Sequence, residues 1–145
     1  MVEKRAVLFV DDDEIVLQSL ERGLLGESYN KLFATGPKEA LTMILQEKVH
    51  VIITDMCMIE MTGLELIRFA RKENPNIIGI ILSGYEPDTE LQIAVEQEEI
   101  FGLIPKPWNA GVVDFELLIW RAIDKCNLQN QRELGQFVTK GDSDD

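Results

Sequence analysis

Five polar residues stand at the ends of short apolar runs. Asp11 and Asp12 follow RAVLFV, Asp55 follows VIIT, Ser83 follows IIGIIL, and Lys106 comes shortly after FGLI. Three carboxylates gathered in one crevice repel each other, and a hard divalent cation relieves that repulsion. Mg²⁺ suits a site with few carboxylates, some water and a phosphate oxygen completing its octahedron. Lys106 would add a compact positive charge and Ser83 a hydroxyl donor. Together they describe a pocket for a phosphoryl group carried on one of the acids. An aspartate acting as nucleophile in phosphoryl transfer has precedent, and cation and ammonium would spread the charge that develops on the equatorial oxygens.

For these residues to meet, the runs before them must be neighbouring strands. The sequence predicts strands near residues 5–10, 30–35, 50–54, 77–82 and 101–104. Between them lie segments of helical period. Val16, Leu17, Leu20 and Leu24 recur in the first, with Gly26 as an expected stop. Ala40, Leu41, Ile44 and Leu45 recur in the second, which Gly36 and Pro37 introduce. Further helices are predicted at 64–72 and 88–98, and a long one from about 109 or 111 to 131. Strict alternation implies parallel strands joined by right-handed crossovers, with helices on both faces. The expected fold is α/β: a doubly wound (βα)5 flavodoxin-like sandwich with a parallel five-stranded sheet of order 2-1-3-4-5. In that order the first and third strands flank the switch point, and their ends carry Asp11, Asp12 and Asp55. In such sheets ligands bind beyond the carboxyl ends of the strands.

The chain has 145 residues and a formal net charge of −12, with no clustered basic patch. That argues against direct binding of nucleic acid, which needs grouped Lys and Arg, and against an anionic membrane surface. No apolar stretch reaches the ~20 residues of a membrane span, and a cytoplasmic location is expected. Cys57 and Cys126 are far apart and form no CxxC, so neither a disulfide framework nor a zinc site is indicated. One domain is expected over residues 1–130. The remainder, 131–145, ending KGDSDD, is expected to be disordered or the start of a linker.

Four motifs, LFVDDD (8–13), TDMCMIEMTGLEL (54–66), ILSGY (81–85) and IPKPW (104–108), occur in this order with one at each of four strand ends. In that combination the chain resembles the receiver domains of two-component response regulators over roughly residues 4–127. The resemblance implies that Asp55 accepts a phosphoryl group from a histidine kinase or phosphotransfer protein. It also implies that Asp12 and Asp55 ligate Mg²⁺, with Asp11 helping through a bound water and the backbone carbonyl of Cys57 completing the protein ligands. Ser83 and Lys106 would hold the attached phosphoryl group. The face built from the fourth helix, fifth strand and fifth helix would then rearrange to control a partner or output domain. The chain would not be an enzyme in the ordinary sense, but a phosphoacceptor that assists its own phosphorylation and dephosphorylation. A fainter resemblance, in the spacing from Gly84 to Lys106, is to receivers joined to cyclic-dinucleotide phosphodiesterase or cyclase modules. The family usually has Pro where Ile59 stands and Tyr or Phe where Leu103 stands.

Simpler roles compete at several positions. Asp13 is expected to be a helix cap. His50 is expected to be structural or exposed, and both cysteines plain reduced thiols. Met56, Met58 and Met61 are expected to pack against their loop rather than to form a contact surface. In the last helix one apolar line runs through Phe115, Leu118, Ile119, Ala122 and Cys126, and a second through Val113, Leu117 and Trp120. The surplus is either a broad core stripe or a partner or homodimer surface, with Trp120 or Trp108 as anchor. Two other functions stand beside the receiver. One is a phosphatase resembling the haloacid dehalogenase superfamily, with Asp11 and Asp13 as its acid pair. The other is a degenerate receiver that only docks.

Overall fold

Alternate residues of the β-branched runs face opposite sides of a sheet, and here both sides are covered. The computed structural model describes residues 4–83, 88–105 and 116–129. Its elements run β1 (Ala6–Val10), α1 (Glu14–Gly23), β2 (Asn30–Ala34), α2 (Pro37–Gln46), β3 (Val51–Asp55), α3 (Gly63–Glu73), β4 (Ile78–Ser83), α4 (Thr89–Glu96) and β5 (Gly102–Pro105). A last helix, α5, covers residues 116–129. The strands form one sheet of order β2-β1-β3-β4-β5, parallel throughout, the doubly wound arrangement expected.

The two faces divide the core. Val7, Phe9, Val51, Ile53, Ile80 and Leu82 point to a layer closed by α1 and α5, through Leu17, Leu20, Ile119, Ala122 and Ile123. Leu8, Val10, Ile52 and Ile81 point to the layer of α2, α3 and α4, through Ala40, Ile44, Leu64, Ile67 and Leu91. All five residues of β1 and of β3 are buried, as expected of central strands covered on both faces. Gly79 belongs to this packing: a Cβ there would lie 2.6 Å from Ile67 side-chain atoms, so the missing side chain lets α3 sit on β4.

Several boundaries move from the sequence expectation. Helix α1 stops at Gly23, before Gly26, because Leu24 leaves the helix and turns fully into the core as its C-cap. Strand β2 ends at Ala34 rather than Thr35, and β4 and β5 each sit one residue later than expected. Helix α4 ends at Glu96, and the chain then reverses through Glu98, whose φ of 60° is left-handed. His50 is buried, and its Nδ1 accepts the Ala6 backbone N–H at 2.9 Å, so its role here is structural.

The second apolar line of α5 is not one free stripe. Trp120 turns inward, its ring centroid 5.4 Å from that of Tyr29 in an edge-to-face arrangement and its Nε1–H donating to Glu27 Oε2 at 2.8 Å. Leu117 stays exposed, and Ile123, absent from both expected lines, is a core residue. Phe115, Val113 and Trp108 lie outside the described residues.

The Tyr29 hydroxyl is buried and has no hydrogen-bond partner among the described residues. Burial, and then the nearby Glu27 and Glu116 carboxylates, push its ionisation well above the ordinary phenol range. The unfolded chain loses that proton near pH ~10. The Tyr29 contribution is therefore fully present below that pH and lost as pH rises beyond it, by up to about 1.4 kcal/mol per pH unit. Urea unfolding from pH ~9 to ~11 should show a steeper loss in the native chain than in Tyr29→Phe.

Candidate functional site

Two adjacent strand ends build the acidic crevice. Val10 of β1 pairs with Thr54 of β3, so the residues that follow, Asp11 and Asp55, emerge side by side. Asp11 and Asp55 are 2% and 6% exposed, while Asp12 faces solvent. One carboxylate oxygen from each of Asp11, Asp12 and Asp55 lies within 4.8 Å of the others. Two buried acids and a third at this range are costly as bare anions, and hard oxygen donors in this number match Mg²⁺.

Backbone contacts hold Asp11, Asp13 and Asp55. The amide of Asp11 donates to Ala34 O at 3.2 Å, and the amide of Asp13 donates to Asp11 Oδ1 at 2.9 Å. Asp13 itself caps α1, accepting from the Ile15 amide at 2.9 Å. It serves the helix and is not one of the three gathered acids. Asp55 closes β3 opposite Leu82, and Met56 N–H continues that ladder to Leu82 O at 3.1 Å. The Cys57 amide then reaches back to Asp55 Oδ1 at 3.4 Å. This turn orients the carboxylate and places the Cys57 main chain beside it. Ser83, buried at the end of β4, is the next strand end along. It pairs with Pro105, the last residue of β5. Lys106 lies outside the described residues.

The loop after Asp55 is drawn tight by two residues whose purpose the sequence did not reveal. The amide of Gly63 donates to Met56 O at 2.9 Å, closing the loop on itself. A Cβ on Gly63 would collide with the backbone carbonyl of Asp55 and come within 2.9 Å of Thr54 Cγ2. Thr54 donates through its hydroxyl to that same carbonyl at 3.0 Å. A glycine opening a helix reads in sequence only as a boundary, whereas here it sets how close α3 comes to the acid. Thr62 completes the junction, capping α3 by accepting from the Glu65 amide at 3.1 Å. Met56, Met58 and Met61, expected to pack against their loop, are partly buried against the core beneath it, while Ile59 at the loop tip is 92% exposed. Gly63→Ala should force loop and carbonyl apart, costing about 1–3 kcal/mol of stability in urea unfolding, and should weaken Mg²⁺ binding measured by calorimetry.

A family model described as the response regulator receiver domain matches residues 7–114. The hydrogenase transcriptional regulatory protein HoxA of Cupriavidus necator is 33% identical over 108 residues, covering 74% of this chain and 22% of that protein. The transcriptional regulatory protein GlrR of Escherichia coli is 35% identical over 120 residues, covering 81% of this chain and 25% of that one. The chain thus spans about a quarter of the length of these relatives. Among solved structures, a response regulator receiver domain protein from Clostridium thermocellum superposes with a TM-score of 0.76 at 28% identity, covering 86% of this chain and 98% of that one. With the fold, the crevice and these likenesses in agreement, the chain belongs to the response regulator receiver domain family of two-component signalling.

Proposed function

We propose that Asp55 is the phosphoacceptor of this receiver. The observation that carries the reading is the cluster of Asp11, Asp12 and Asp55 oxygens within 4.8 Å, at the ends of β1 and β3. Phosphoryl acceptance is typical of the family. In the step proposed, a carboxylate oxygen of Asp55 attacks the phosphorus of a phosphohistidine on a histidine kinase or phosphotransfer protein. The phosphorus–nitrogen bond breaks, and the imidazole leaves with its electron pair. The Cys57 amide donates to Asp55 Oδ1 and helps fix the orientation of the attacking carboxylate.

Asp11, Asp12, Asp55 and the Cys57 backbone carbonyl are the groups that would hold Mg²⁺. Bound there, Mg²⁺ would offset the acids' mutual repulsion and draw charge from the phosphoryl oxygens. The Ser83 hydroxyl would donate to the attached group, and Lys106 would pair with it. The same side chains would assist both attachment and hydrolysis, so the chain times its own signal without turning over a separate substrate.

Movement of Ser83 toward Asp55 would pull on β4 and on its partner β5. That offers a route from the site to the face of α4, β5 and α5, where an output domain or partner would respond. Leu103 on that route is half-buried against the α2–α4 layer, in place of the usual aromatic residue. Self-association through α5 belongs to this proposal as well. Leu117 and Leu128 remain exposed on it, while Trp120 is engaged within the chain.

Acetyl phosphate with Mg²⁺ should add one phosphoryl group per chain, detected by intact mass, and chelation of Mg²⁺ should prevent it. Asp55→Asn should abolish labelling, and label persisting in that variant would show that another residue is the acceptor. Asp12→Asn should retain the fold and weaken Mg²⁺ binding by about tenfold or more.

A further inference from the structure

Four sulfur-bearing side chains, Met56, Cys57, Met58 and Met61, fall within six residues directly behind Asp55. The proposed phosphorylation uses none of these side chains. The three methionines are half-buried on the α2–α4 layer, and Cys57 is exposed. Met58 is set apart by one contact. Its Sδ lies 3.9 Å from the Thr54 hydroxyl, the same hydroxyl that donates to the Asp55 backbone carbonyl at 3.0 Å. Met58 is itself partly exposed, between the exposed Cys57 and Ile59, and a small oxidant needs only such partial access.

A thioether is a weak acceptor, and the Thr54 hydroxyl accordingly favours the carbonyl. A sulfoxide is polar and accepts strongly. Formed at Met58, it would compete with the Asp55 carbonyl for the Thr54 hydroxyl and would no longer suit the apolar layer beneath the loop. Both effects act on the segment that orients Asp55 and the Cys57 main chain.

We propose that Met58 is an oxidation site through which hydroperoxides weaken the Asp55 site, an inference that rests on Asp55 being the phosphoacceptor. The thioether lone pair attacks the distal oxygen of hydrogen peroxide, the O–O bond breaks, and after proton shift water leaves. Sulfur is oxidised by two electrons and the peroxide is reduced by two. A methionine sulfoxide reductase with a thiol reductant reverses the change.

The test treats the chain with hydrogen peroxide and then with dithiothreitol, which returns thiols from disulfide or sulfenic acid but leaves sulfoxide in place. Peptide mass spectrometry locates the added oxygen. Binding of beryllofluoride with Mg²⁺ is followed by calorimetry, and circular dichroism checks that the fold is kept. The expected result is oxygen on Met58 and beryllofluoride binding weaker by about tenfold, the scale seen when a supporting contact of a metal site is lost. Methionine sulfoxide reductase should restore binding, Met58→Leu should keep it after peroxide, and Met58→Gln should mimic the loss without peroxide. Unchanged binding by the Met58-oxidised chain would overturn the inference, as would equal loss in Met58→Leu, loss of the fold instead of affinity, or oxidation that spares Met58. An untreated chain that fails to bind beryllofluoride would instead strike at the reading of Asp55, and this inference would fall with it.

Discussion

Like-charge repulsion among three carboxylates is the constraint around which the molecule is arranged. At the separations seen in the crevice, within 4.8 Å, the buried Asp11 and Asp55, if both ionised, would repel by about 3–4 kcal/mol for an effective dielectric near 20, and the exposed Asp12 would add less because solvent screens it. Two of the three acids are buried, so water screens them little. They are held by the sheet, since β1 and β3 are adjacent and in register, and by amides that grip Asp11 Oδ1 and Asp55 Oδ1. Repulsion of this kind is what a hard divalent cation bound between the acids would relieve.

The rigidity that holds the acids in place comes from the two-sided core. β1 and β3 have apolar layers on both faces, so neither strand can slide without exposing a full row of aliphatic side chains. The parts able to respond lie at the carboxyl edge: the loop tightened between Thr54 and Gly63, and Ser83 at the end of β4. A rigid sheet with adjustable ends suits a switch, because a change in charge at one edge must be taken up by the loops and by β5, which among the described residues is paired on one side only.

The fold was legible because its signals are local and redundant. Five apolar runs alternating with helical periods leave little choice of topology, and β1, β3 and β4 ended within a residue of expectation. The three acids were legible for the same reason, since a carboxylate directly after a buried strand has few other uses. What escaped was set by tertiary contact. Leu24 leaves its helix for the core although Gly26 offered a stop. Trp120 turns inward because Tyr29 and Glu27, far away in sequence, receive it. Gly63 and Thr54 act on the Asp55 carbonyl through a close approach that no spacing encodes.

The central claim is that Asp11, Asp12 and Asp55 form one cation site. Its most direct test is chemical unfolding in MgCl₂ set against NaCl of equal ionic strength. A ligand that binds only the folded state at a hundredfold excess over its Kd stabilises by about 2.7 kcal/mol. Mg²⁺ should raise the native chain's stability well beyond the NaCl control, and Asp12→Asn should lose most of the difference. Equal effects of the two salts on the native chain would contradict it.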